Sequence, residues 1–185
     1  TPVITPISSG YDRITVSWPG ITGASGYEVY QSTSTAGVYT LLATTASTSY
    51  TKTALVTNTA YFYKVRAYRL VGTVKVYSGF STIVSARPVP ATPVVTVASA
   101  GYNSVKASWA TITGANGYEV SYSLTEDGTY TLLPLQSATS YTLTNQATNQ
   151  PVFFKVRAYR LVGTLKVFGS TSIIKSASPI PSTPV

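Results

Sequence analysis

The sequence predicts an all-β chain of two tandem modules, each a seven-stranded antiparallel β-sandwich, and three observations carry that prediction. The ten residues KVRAYRLVGT stand at 64–73 and again at 155–164. The same offset of 91 places Trp18 on Trp109, Tyr27 on Tyr118, Glu28 on Glu119 and Pro88 on Pro179, with no insertion or deletion. Self-similarity at a fixed period marks a repeated structural unit, so the modules run 1–91 and 92–182. Apolar residues alternate with polar ones at the two-residue period of a half-buried strand, and no helical period competes with it. Finally, clusters of Gly, Asn, Ser and Thr interrupt the chain every ~8–12 residues, the spacing of a sandwich.

In the first module the strands are expected near 3–9, 12–19, 26–31, 37–44, 48–53, 60–70 and 80–87. Val, Ile, Thr and Tyr, which suit a pleated surface, dominate all of them. The second strand contains RITVSW, where Ile14, Val16 and Trp18 point one way and Arg13, Thr15 and Ser17 the other; Val105, Ala107 and Trp109 repeat the inward set. The sixth contains YFYKVRAYRL, with Tyr61, Tyr63, Val65 and Ala67 inward and Phe62, Lys64, Arg66 and Tyr68 outward. The long LVGTVKV segment after it is expected to form a small hairpin ahead of the last strand. The junction RPVPATPV alternates proline, which fixes φ and favours an extended path, so a short, stiff link is expected between modules. Thr183, Pro184 and Val185 repeat the TPV of 1–3 and 92–94, as a third copy would begin. With no initiating Met, the chain is expected to be a piece of a longer array.

Composition narrows the chemistry. The chain has no His and no Cys, which removes imidazole bases, thiolate nucleophiles, disulfides and the usual ligands of zinc, copper and iron. No run approaches the roughly 18–20 apolar residues of a membrane-spanning helix, and no signal-peptide succession opens the chain. Absence of Cys and of Asn-x-Ser/Thr acceptors favours an exported bacterial protein over a eukaryotic ectodomain. The 13 Lys and Arg against 5 Asp and Glu give a net charge of +8, enough to attract anionic polymers. These cations are spread over both halves without a run, as on an ordinary solvated surface.

The segments ITVSWPGITGASGYEVYQS, GVYTLL, YFYKVRAY and GFSTIVSARP, with VKASWATITGANGYEVSYS, GTYTLL, FFKVRAY and STSIIKSASP in the second copy, together resemble tandem fibronectin type III domains, in particular those of bacterial secreted and cell-surface proteins. The resemblance covers the whole chain. It implies an immunoglobulin-like sandwich with a buried Trp18 and Trp109 as core residues, and a corner tyrosine at Tyr61 whose hydroxyl reaches back to upstream backbone. Val152 replaces that tyrosine in the second copy and Gln146 replaces Leu55, so the second module is expected to lack this bond and some packing.

Catalysis is hard to build from Asp12, Glu28, Glu119, Glu126 and Asp127, the whole carboxylate stock, because acid and base work on sugars needs a close carboxylate pair. Glu28 and Glu119 are expected as exposed strand residues. TEDGT at 125–129 resembles a calcium loop, but its two acids fall short of the six to eight oxygens that calcium takes; a tight turn with positive φ at Gly128 is expected instead, and no metal or cofactor. The candidate ligand-binding set is Arg69, Lys75 and Tyr77 with Arg160, Lys166 and Phe168, around the loop before the last strand, which in the resembled family is a frequent recognition site. Aromatic rings there could stack on sugars. The leading reading is a non-catalytic extracellular or cell-surface spacer whose partners are the other domains of its parent chain. The rival is a module binding anionic cell-wall polymers or polysaccharides, with two weak sites gaining by avidity. An accessory domain of a glycoside hydrolase is a third reading, and nucleic acid is supported only by charge.

Overall fold

The computed structural model describes residues 1–181; the TPV of 183–185, expected to open a third copy, lies outside the described residues. Two compact units divide between Val89 and Pro90, close to the end of the 91-residue repeat. Local bonding explains the position. Ser8 ties Val89 to the first unit, its Oγ accepting from the Val89 N–H at 2.8 Å and donating to the Val89 carbonyl at 3.2 Å. The carbonyl of Pro90 instead rests against Gly169 of the second unit, where a Cβ would collide with it.

The first unit contains β1 (Thr5–Gly10), β2 (Arg13–Ser17), β3 (Gly26–Ser32), β4 (Thr40–Thr45), β5 (Ser49–Lys52), β6 (Tyr61–Val71), β7 (Val74–Tyr77) and β8 (Val84–Ala86). The second repeats them as β9 (Val95–Gly101), β10 (Ser104–Trp109), β11 (Gly117–Ser123), β12 (Thr131–Leu132), β13 (Ser140–Leu143), β14 (Val152–Val162), β15 (Leu165–Phe168) and β16 (Lys175–Ala177). All pairings are antiparallel. One sheet of the first unit runs β1-β2-β5, and the other runs β4-β3-β6-β7 with β8 also on β6; the second unit matches. Each unit is therefore an immunoglobulin-like antiparallel sandwich.

Alternation fills the space between the sheets. Ile14, Val16, Val29, Tyr63 and Val65 are fully buried in the first unit, with Trp18 and Tyr27 packed beside them; Val105, Ala107, Val120, Phe154, Val156 and Trp109 do the same in the second. The rings of Trp18 and Tyr27 lie 5.3 Å apart and tilted, as do Trp109 and Tyr118 at the same distance, a geometry that adds to area burial.

The strand expected over 80–87 is the shorter β8, and β7, from the hairpin expected ahead of it, joins the sheet to give eight strands per unit. β7 and β8 lie on the same edge of β6, and between them the ladder is carried by serine. Ser81 gives its N–H to the Val65 carbonyl and accepts the Val65 N–H on its hydroxyl at 3.1 Å; Ser78 does the same for Ala67. A side-chain oxygen thus replaces a missing strand carbonyl, which keeps buried backbone donors paired. Ser172 plays the same part for Val156 in the second unit.

The hairpin expected from LVGTVKV is present as β6-β7. Val71 faces Val74, so Gly72 and Thr73 form a two-residue loop, and Gly72 alone has positive φ, at 60°. That is the requirement of a type II′ turn, whose first central position favours Gly.

Candidate binding face

The outer face of the β4-β3-β6-β7 sheet gathers the basic residues of the first unit. Antiparallel register sets Glu28 of β3 opposite Arg66 of β6, and Tyr68 opposite Tyr77. Because side chains two residues apart share a face, Glu28 and Tyr30 meet Lys64 and Arg66, while Lys75 and Tyr77 reach across from β7. Tyr68 covers Gly26, directly opposite, where a Cβ would fall within 2.6 Å of its hydroxyl.

The expectation that Glu28 is exposed is overturned: it is 4% exposed. Its Oε2 accepts from Arg66 Nη2 at 2.8 Å, Arg66 Nε at 3.0 Å and the Tyr30 hydroxyl at 2.9 Å; its Oε1 accepts from Lys75 Nζ at 3.0 Å and the Tyr77 hydroxyl at 3.1 Å. Alternation correctly turned Glu28 away from the core. It could not show that the outer face is itself roofed by long side chains from three strands. Burial alone would push the Glu28 carboxyl up, but the bonds from Arg66, Lys75, Tyr30 and Tyr77 hold it down at about 2. Burial and the neighbouring carboxylate push the Tyr30 hydroxyl up.

Rings complete the layer. The Arg66 guanidinium lies 3.7 Å from the centroid of Tyr77, and the Lys64 ammonium lies 4.4 Å from Tyr39 and 4.3 Å from Phe80. Lys75 sits 4.5 Å from the Tyr68 centroid. Lys75 and Tyr77 are thus brought together, but on Glu28.

Arg69 is separated from them by alternation. It lines a groove of about 250 Å³ between Ile21–Ala24 and β6-β7, with Ala67, Tyr68, Val76 and Tyr77. Among the described residues, the Arg69 side chain makes no hydrogen bond or ion pair. In the second unit Arg160 instead donates from Nη1 to the Gly114 carbonyl at 2.8 Å.

The second unit keeps a thinner version of the layer. Ser121 stands where Tyr30 does and Phe168 where Tyr77 does, so the two phenol donors are gone. Glu119 keeps one ion pair, accepting from Arg157 Nε at 2.7 Å. Arg157 stacks on Phe168 at 3.9 Å, Lys155 on Tyr130 at 3.6 Å, and exposed Lys166 stands 5.9 Å from Tyr159.

The residues missed from sequence are Glu28, Tyr30 and Arg66. One signal was available: in a chain so poor in acids, Glu28 and Glu119 hold the same position in both copies. The turn at 125–128 also differs from expectation. Gly128 is not among the residues with positive φ; a Cβ there would crowd the Thr125 and Ser123 hydroxyls. Among the described residues no group of three or more acidic side chains is placed to hold a metal, and no helix is long and apolar enough to cross a membrane.

No family profile matches the chain. Among curated proteins, the chain is 32% identical over 152 residues to exoglucanase B of Cellulomonas fimi, a match covering 72% of this chain and 13% of that protein. It is 31% identical over 119 residues to a Kelch domain-containing protein of Saccharolobus solfataricus, covering 63% of this chain and 16% of that one. The chain therefore spans a small fraction of the length of either relative. Among solved structures, a two fibronectin type III domain segment of chicken tenascin aligns at TM-score 0.48 and 17% identity, covering 96% of this chain and 98% of that one. The FN1-FN3 domains of chicken CNTN1 align at TM-score 0.42 and 18% identity, covering 96% and 66%.

Proposed function

We propose that the chain is a pair of fibronectin type III modules acting as a non-catalytic spacer within a longer secreted or cell-surface bacterial protein. The observation that carries the reading is that the cations of the first outer face are spent internally. Arg66 and Lys75 are bonded to a buried carboxylate, and Lys64 lies between two rings, so the face is a closed structural layer. The same layer explains why the basic sequence is repeated: it covers the sheet from which each module is built. The match to a small part of a bacterial exoglucanase supports a role beside other domains, with the proline-rich junction as the link.

A second reading, polysaccharide or anionic cell-wall polymer binding, is favoured by one observation, the groove beside Arg69 with its Tyr68 and Tyr77 walls. Retention of the whole chain on insoluble polysaccharides and cell-wall polymers, at low and moderate salt, separates the two. The spacer reading expects wild type and a variant with Arg69, Lys75, Arg160 and Lys166 changed to Ser to behave alike. Saturable, ligand-selective retention that the variant loses would overturn it in favour of binding.

A further inference from the structure

The second unit contains a socket whose plug is missing. In the first unit the Tyr61 ring enters the loop before β6, and its hydroxyl accepts the Val56 N–H at 3.0 Å. The second unit retains that loop in detail. Ala54 and Asn58 have φ of 57° and 65°, and their counterparts Asn145 and Asn149 have 59° and 62°. Thr57 ties its loop to the Tyr11 carbonyl at 2.6 Å, and Thr148 ties its own to the Tyr102 carbonyl at the same distance. Leu55 and Gln146 give their N–H groups to the equivalent carbonyls of Asp12 and Asn103.

The backbone is kept, but Asn145, Gln146, Ala147, Gln150 and Pro151 stand where Ala54, Leu55, Val56, Thr59 and Ala60 do, and the plug is gone. Val152 replaces Tyr61, and a surface pocket of about 210 Å³ lies among Leu124, Asn145, Gln146, Ala147, Gln150, Pro151 and Val152, with buried Val152 at its floor. Ala147, an exposed residue, is the counterpart of Val56, and no protein group among the described residues accepts its N–H. A pocket of this volume is large enough for a benzene-sized ring, and a backbone donor at its rim can fix the orientation of a ligand that brings an acceptor.

We propose that this pocket is a binding site for a phenol ring, with the ring against Val152 and Pro151 and the hydroxyl accepting the Ala147 N–H. The ring can belong to a free small phenol or to a tyrosine side chain of a partner. The site is independent of the spacer reading, since it lies at neither the outer sheet face nor the Arg69 groove.

The test is titration of the full chain with p-cresol, toluene and N-acetyltyrosinamide, followed by backbone amide resonances. Saturable shifts of Ala147 and Val152 by p-cresol are expected, with Val56 unmoved as the internal control of the plugged unit. Val152→Tyr, which restores the plug, should abolish them, and toluene should bind about fivefold more weakly for want of one hydrogen bond. Binding of N-acetyltyrosinamide as tight as p-cresol would assign the ring to a tyrosine side chain; p-cresol alone would assign it to free phenols. Shifts that are linear and equal in wild type and Val152→Tyr, or equal affinity for toluene and p-cresol, would overturn the proposal.

Discussion

Glu28→Gln should lower the stability of the first unit by about 2–3 kcal/mol at neutral pH, and it should leave the second unit unchanged. The variant removes a buried charge that satisfies Arg66, Lys75, Tyr30 and Tyr77 at once. Breaking one side of a buried pair costs about 3–5 kcal/mol, and the partial exposure of Arg66 and Lys75, at 24% and 33%, places this site toward the lower end. Amide hydrogen exchange reads the two units separately in the intact chain. The effect should also depend on pH. The Glu28 carboxyl is held at about 2, below its ordinary value of 4.5, so the unfolded state binds the proton first. The stabilisation is therefore fully present above the unfolded value and lost as pH falls through the folded one. It amounts to about 3 kcal/mol from a shift of this size, disappearing between about pH 5.5 and pH 1. In Glu28→Gln that acid-sensitive component should be absent.

The second large effect concerns the corner of the sandwich. Tyr61→Val combined with Leu55→Gln, which gives the first unit the residues of the second at these positions, should cost it about 3 kcal/mol or more. The loss joins an emptied ring-sized volume to an unmade hydrogen bond. Tyr61 and Leu55 are both buried, and the Tyr61 hydroxyl is held by the Val56 N–H. The reciprocal change, Val152→Tyr with Gln146→Leu, should stabilise the second unit. Exchange-derived opening free energies of the two units, compared within each variant, check both directions; equal stability losses in the two units would contradict the corner as the cause.

How much of this was readable in sequence depends on which neighbours a residue needs. Inward residues such as Ile14, Val16, Tyr63 and Val65 follow from alternation alone, because period two fixes the face. The β6-β7 hairpin was equally legible from Gly72 between apolar runs. The corner difference could be read by setting Tyr61 beside Val152. The serine-bridged interval between β7 and β8 could not, since it depends on Ser78 and Ser81 turning their hydroxyls onto β6 in place of backbone carbonyls. Burial of Glu28 was hidden for a related reason. Exposure on an outer face is decided by the register of three strands and by long side chains crossing between them, and neither is encoded in local periodicity. The same register divides the candidate binding residues, sending Lys75 and Tyr77 to Glu28 and leaving Arg69 at the groove.

Titration of the Glu28 side-chain carboxyl by its carbon resonance in the intact chain bears most directly on the closed outer layer. A midpoint near 2 is the result expected if Arg66, Lys75, Tyr30 and Tyr77 are committed to this carboxylate. A midpoint at 4.5 or above would mean that those side chains are not held, that the layer is open, and that its cations and rings are free to meet a ligand.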